Sequence, residues 1–149
     1  MQNKKILIVS EYFYPEEFKI NEIALSWQRK GYEVDVLTQN PTYPEGELLQ
    51  GYKNTWYSTE NYRGINIHRV KAVTGYKKSL FKKLLKYFTF MFLGSIQSLK
   101  IGKKYDYIFG FDVGALTGMM PAVLLKKFYN KKTTLWIQDV WPDSVYAYG

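Results

Sequence analysis

Apolar residues in this chain alternate between short unbroken runs and longer stretches in which they recur every three or four positions. Ile6-Leu7-Ile8-Val9 is such a run behind Lys4-Lys5, which predicts a parallel strand buried on both faces. The turn-rich segment Glu11-Tyr12-Phe13-Tyr14-Pro15-Glu16-Glu17 follows. Ile20, Ile23, Ala24 and Trp27 then recur at helical spacing, and Gly31 stands where a helix C-cap belongs. Glu33-Val34-Asp35-Val36-Leu37-Thr38 supplies a second strand. The result is a βαβ unit, which places ligands at the carboxyl ends of its strands, here the loop from Ser10 to Ile20.

Gln39 to Trp56 is a long polar connection containing Asn40-Pro41-Thr42-Tyr43-Pro44-Glu45-Gly46, and a loop of that length is expected to be functional or mobile. It leaves the carboxyl end of a strand, so it lies beside the first loop. Trp56 to Thr59 and Ile65 to Val70 read as two strands joined through Asn61-Tyr62-Arg63-Gly64. His68 falls with Asn66 on the face opposite Ile65 and Ile67, and is expected to be a solvated strand residue outside any site. Tyr105 to Phe111 is a further strand. A helix through Leu116, Met119, Met120, Val123 and Leu124 follows, and then a strand from Thr133 to Gln138. Strands alternate with helices throughout, which predicts an α/β, Rossmann-like, mostly parallel sheet with helices on both faces.

The segment Lys77 to Lys104 breaks the pattern. Leu80, Phe81, Leu84, Leu85, Phe88 and Phe92 form a helical stripe with Lys77, Lys78, Lys82, Lys83 and Lys86 beside it. Basic residues flanking an apolar, aromatic face are the mark of an interfacial membrane helix, and each lysine near an anionic leaflet contributes about 1 kcal/mol. An ordinary sheet-packing helix explains part of the stripe. The expectation is therefore that Phe88 to Leu99 packs inward while the five lysines meet an anionic membrane surface.

Composition narrows these readings. With 149 residues the chain is one domain, able to bury roughly 70% of its unfolded surface. A net charge of +8 implies an anionic partner: nucleic acid, a membrane surface or a phosphorylated substrate. Cysteine is absent, which excludes disulfides and thiolate metal sites, and the single histidine leaves little room for imidazole chemistry. No apolar run approaches the about 20 residues of a membrane span, and no signal peptide is visible. Neither G-x-G-x-x-G nor G-x-x-x-x-G-K-[ST] occurs, so no backbone cradle for a dinucleotide or nucleoside triphosphate is expected, and no cofactor.

The strand ends carry carboxylates, amides and aromatics instead: Glu16, Glu17, Asn21 and Glu22, then Asp112, then Asp139 with Trp141. A carboxylate there can accept a hydroxyl proton, and Tyr14 and Trp141 suit a sugar ring or a lipid. Asp139 reads equally as the N-cap of a helix starting near Pro142, and Glu16 and Glu17 as helix-start charges. That helix start is abandoned at Tyr146-Ala147-Tyr148-Gly149, which predicts that the chain is one half of a longer polypeptide.

Three segments together resemble the N-terminal half of bacterial family 4 glycosyltransferases. They are Ile6-Leu7-Ile8-Val9 with Tyr12-Phe13-Tyr14-Pro15-Glu16 and Ile20-Asn21-Glu22, Val36-Leu37-Thr38 with Pro41 to Gly46, and Leu135-Trp136-Ile137-Gln138-Asp139-Val140-Trp141-Pro142-Asp143-Ser144. The nearest resemblance is to the branch building colanic acid and O-antigen (lipopolysaccharide) chains, including fucosamine transferases. It implies the N-terminal half of a GT-B fold, with residues 1–149 as the acceptor-binding domain and a separate C-terminal domain holding the nucleotide sugar. It further implies a retaining, metal-independent transfer to a polyprenyl-diphosphate-linked sugar, by a cytoplasmic protein peripheral on the inner face of the cell membrane. Carried residue by residue, Asp139 is catalytic, while Tyr14, Pro15, Glu16, Asn21, Glu22, Gln138 and Trp141 bind substrate. The chain departs from the family in two places. Phe18-Lys19-Ile20-Asn21 stands where many members have a Gly-Gly pair, and Gln138 where many have a histidine. The donor-gripping glutamate pair lies in the other half, so this half alone is expected to be inactive. The competing reading is a non-catalytic basic α/β domain that binds nucleic acid, whose expected basic groove with stacking aromatics is not seen in the clustered lysines.

Overall fold

The computed structural model describes residues 3–138. Its regular elements are β1 (Lys5–Ser10), α1 (Lys19–Arg29), β2 (Glu33–Gln39), β3 (Tyr57–Tyr62), β4 (Ile65–Val70), α2 (Leu80–Ile101), β5 (Tyr107–Asp112), α3 (Met120–Tyr129) and β6 (Lys132–Ile137). Together they make the expected α/β, Rossmann-like architecture. The strands form one sheet in the order β3-β4-β2-β1-β5-β6, parallel throughout except that β3 runs antiparallel to β4.

The unbroken apolar run of β1 has its explanation in two cores. Ile6 and Ile8 join Val34, Val36, Ile65, Ile67 and Phe111 on one face, under Ile20 and Ala24 of α1. Leu7 and Val9 join Leu37, Val70 and Ile108 on the other, under Phe90 of α2 and Ala122 and Leu125 of α3. Each fully buried aliphatic side chain contributes roughly 1.5–3 kcal/mol, so the central strands hold the fold and the edges are free to vary. The β3–β4 hairpin turns through Arg63 (φ 52°) and Gly64 (φ 88°), two left-handed residues that match the twist of the flanking strands.

α2 runs opposite to its neighbouring strands, from the carboxyl end of the sheet to the amino end, and packs closely on α3. A Cβ at Gly102, just past α2, would stand 2.2 Å from Leu125 Cδ2, so only glycine permits that approach. The inward stripe of α2 is Lys86, Phe90, Gly94, Gln97 and Ser98. The stripe read from the sequence faces the other way: Leu80, Phe81, Leu84, Leu85, Phe88 and Phe92 are all exposed, and so is Ile96. The expectation that Phe88 to Leu99 packs inward is thus corrected for Phe88, Phe92 and Ile96. Leu116, Met120 and Val123 beside them are exposed too. No helix among the described residues is long and apolar enough to cross a membrane.

Candidate functional site

Strand order reverses between β1 and β5: from β1 the chain goes to β2 and β4 on one side, and to β5 and β6 on the other. At such a point the loops after the two strands diverge and leave a crevice at the carboxyl edge. The loop after β1 forms one wall of it. Glu16, buried in that loop, accepts hydrogen bonds at Oε1 from the backbone N–H groups of Thr42 (2.9 Å) and Tyr43 (2.8 Å). The first loop is thereby clamped to the loop after β2. Asn21 Nδ2 donates to the Glu16 carbonyl (2.7 Å), and Tyr12, Phe18 and Tyr43 stack into one aromatic cluster across the clamp. Burial pushes the Glu16 carboxyl up to about 7, against the pull of the Tyr43, Thr42 and Phe13 amides.

Beneath the clamp lies a buried polar cluster. Lys86 Nζ stands 2.8 Å from Glu11 Oε1, donates to the Tyr12 hydroxyl, and lies against the rings of Tyr76 (4.7 Å) and Tyr87 (5.1 Å). Gln39 Nε2 approaches Glu11 Oε1 at 3.4 Å. Burial raises the Glu11 carboxyl more than the Lys86 cation lowers it, and the neighbouring Asp112 charge adds to the rise. Lys86, expected among the membrane-facing lysines, is therefore corrected to a core residue: it turns inward because the Glu11 carboxylate, buried at the end of β1, needs a cation.

Among the other expected substrate contacts, Tyr14 stacks on Tyr62 (3.7 Å between centroids) and its carbonyl accepts from Arg69. The Tyr14-Pro15 peptide bond is cis, as is Tyr43-Pro44. Pro15 is half-buried and Glu22 exposed on the first turn of α1. Gln138 is exposed after β6, and its N–H donates to the Asp112 carbonyl (2.9 Å), which sets it beside the end of β5. Asp139 and Trp141 lie outside the described residues, as does the predicted helix start at Pro142. Lys77, Lys78, Lys82 and Lys83 are exposed at the start of α2, on the same edge as the crevice: Gly75 N–H donates to the Gly46 carbonyl (2.7 Å) and Lys77 pairs with Glu45 (3.2 Å).

Two residues take roles the sequence did not signal. Arg69 is wholly buried, donating to Glu60 through Nε (2.8 Å), to the Gln39 carbonyl through Nη1 (3.0 Å) and to the Tyr14 carbonyl through Nη2. It ties β4, the end of β2 and the first loop together. Its only sequence signal is an arginine beside the apolar Val70 at the end of a strand. His68, expected in solvent, is buried instead: its Nδ1 bonds the Tyr57 hydroxyl (2.7 Å) and its Nε2 stands 4.0 Å from Asp35. Asp35, near the amino end of β2, also accepts from Tyr105 (2.6 Å) and Asn66 (3.0 Å) and pairs with Lys104 (3.3 Å). Burial works to raise the Asp35 carboxyl, but these neighbours outweigh it and hold it well below the usual range. No group of three His, Cys, Asp or Glu side chains among the described residues converges on a metal site.

No protein-family model matches the chain, and no curated protein does. Solved structures do. The catalytic domain of starch synthase IV from Arabidopsis thaliana, bound to ADP and acarbose, is similar with 14% identity and a TM-score of 0.54; the match covers 90% of this chain and 33% of that one. The C-terminal domain of a hydrogenase from Pyrococcus furiosus is similar with 16% identity and a TM-score of 0.54, over 91% of this chain and 93% of that one. The chain thus spans about a third of the starch synthase domain. At these identities the likeness is one of fold, and a fold shared by a synthase and a hydrogenase does not assign chemistry. The chain has a Rossmann-like α/β fold resembling part of a GT-B glycosyltransferase.

Proposed function

We propose that this chain is the acceptor-binding half of a retaining, metal-independent glycosyltransferase. Its donor is a nucleotide sugar held by a second domain, and its acceptor is a sugar on polyprenyl diphosphate, in the assembly of a surface polysaccharide such as lipopolysaccharide. It works at the cytoplasmic face of the cell membrane as a peripheral protein. The observation that carries this reading is that the basic start of α2, with the exposed Leu80, Phe81 and Leu84 of its first turns, lies on the same edge of the fold as the crevice. A lipid-linked acceptor requires that arrangement, because its carrier stays in the bilayer while its sugar must reach the strand ends. The starch synthase neighbour, which binds ADP and acarbose, adds support from the fold.

In this reading Asp139 contacts or polarises the reacting hydroxyl. Tyr14, Pro15, Glu16, Asn21 and Glu22 shape the wall toward the diphosphate, Glu16 from behind that wall by fixing it to Thr42 and Tyr43. Gln138 and Trp141 bind substrate. The test is transfer of labelled sugar from a panel of nucleotide sugars to a polyprenyl-diphosphate-linked saccharide, by a polypeptide that joins this chain to its donor domain. Transfer is expected, with kcat/KM lowered at least about a hundredfold by Asp139→Asn. Wild-type turnover in that variant would remove the catalytic assignment, and no transfer to any lipid-linked saccharide would overturn the function.

A further inference from the structure

A cavity of about 480 Å³ opens between the loop after β2 and the edge strand β3, lined in part by Tyr52, Ser58, Thr59, Glu60 and Arg69. That size is within the range of small-molecule sites, about 300–1,000 Å³. We propose that this groove is a sugar subsite, taking one ring of a neutral glycan.

The lining selects the ligand class. Tyr52 is the one aromatic surface, fixed by the Arg69 guanidinium 5.2 Å from its ring centroid, and no aliphatic anchor accompanies it. An apolar ligand therefore has the face of one ring and no aliphatic side chain to hold it. Arg69 contributes no free charge, because Glu60 neutralises it at Nε (2.8 Å) and Nη2, and Lys53 is the remaining cation of the lining. An anion would have only that exposed lysine to hold it, with the Glu60 carboxylate opposing it. A pyranose meets both halves of this chemistry, with an apolar face to lie on Tyr52 and hydroxyls to donate to a fixed carboxylate and exchange hydrogen bonds with Ser58, which shares the Glu60 face of β3. Glu60 is suited to accept them: its side chain is 34% exposed, yet it is held by an arginine side chain only 2% exposed. That carboxylate is set before any ligand arrives, so little ordering entropy is lost on binding.

The groove also adjoins the crevice. Arg69, its floor, donates to the carbonyls of Gln39 and Tyr14, which belong to the ends of the two loops that border the crevice. A chain of sugars whose reacting end lies by Tyr14 would pass its more distant rings over Arg69. The identity of the glycan as acceptor rests on the function proposed above; the binding of a sugar ring does not.

The test is a titration of the isotope-labelled chain with chitotetraose, cellotetraose and maltotetraose, followed by amide resonances. At least one is expected to bind in the millimolar range and to shift the amides of Tyr52, Lys53, Ser58 and Thr59. Tyr52→Ala and the groove-filling Ser58→Trp are each expected to weaken binding about tenfold or more, with resonances of β1 and β5 unmoved to show an intact fold. No shifts with any of the three probes, shifts located elsewhere, or binding that survives both substitutions would overturn the proposal. Transfer activity without groove binding removes the subsite alone. Groove binding without transfer activity removes the acceptor reading alone.

Discussion

Glu16 and Asp35 are both buried acids, yet their environments push them in opposite directions, and that sets opposite pH dependences. Glu16, raised from 4.5 to about 7, is more easily protonated in the folded chain than in the unfolded one. Its contribution is complete below about 4.5 and lost as the pH rises through 7, an effect of at most about 3 kcal/mol. The neutral Glu16→Gln keeps a carbonyl oxygen for the Thr42 and Tyr43 amides, so its melting temperature relative to wild type should rise between pH 5 and pH 8. A difference that stays flat would show Glu16 to be ordinary. Asp35, held below its usual 3.8, contributes stability above that value and loses it as the pH falls further. Asp35→Asn should cost about 2–3 kcal/mol near neutrality, measured by denaturant unfolding, and the cost should shrink in strong acid. Raised carboxyls at the carboxyl edge and a depressed one near the amino edge fit a split between a working edge and a structural one. Glu16 was legible in sequence as a residue of the first loop. Its partners were not, because Thr42 and Tyr43 meet it only after the sheet has formed.

At the scale of an element, α2 carries most of what sequence periodicity misjudged. Hydrophobic spacing marks the face that is apolar, and for most helices that face is inside. Here the buried positions are Lys86, Phe90, Gly94, Ser95, Gln97 and Ser98, with Leu93, Leu99 and Ile101 only partly buried against the core, while the apolar stripe points outward. The spacing marks the apolar face but not its direction, because nothing local distinguishes a buried ion pair from a row of solvated lysines. Lys86 supplies a direct check. Lys86→Met leaves Glu11 buried without its cation, and should destabilise the chain by about 3–5 kcal/mol in denaturant unfolding. Pairing it with Glu11→Gln should restore much of that loss, since both charges then leave together. If the double variant is no better than the single one, Lys86 acts through packing and not through Glu11. Lys82 and Lys83, by contrast, stand in the first turn of α2, where no acidic residue offsets them. Cations there oppose the helix dipole by a few tenths to about 1 kcal/mol each, so helix stability does not account for them.

On the whole molecule, the parallel sheet was legible because a strand buried on both faces leaves an unbroken apolar run, as β1 does. The reading of the carboxyl edge as the place for a ligand needs only the alternation of strands and helices. What joins the two walls was not legible, because it depends on contacts such as Arg69 to Tyr14 that span the chain. The same holds for the outward face of α2, which becomes visible as a surface only when the fold shows Leu116, Met120 and Val123 exposed beside Phe92 and Ile96. That surface leads to a test that does not depend on catalysis. If it seats on an anionic bilayer, two separable forces act: charge from Lys77, Lys78, Lys82 and Lys83, and apolar insertion by side chains such as Phe81 and Leu84. Lys77 is shared with Glu45, but a surface pair of that kind is weak and leaves the local field positive. Binding to anionic vesicles should therefore fall with salt, and the Lys82→Glu, Lys83→Glu double variant should weaken it at least about thirtyfold at low salt. Phe81→Ser with Leu84→Ser should weaken it at every salt concentration. Because all four positions are exposed, neither pair should lower the melting temperature much. Equal sedimentation of wild type and the lysine variant with anionic vesicles would mean that the charge is not read by lipid. Undiminished binding by the apolar variant would mean that this face does not enter the bilayer.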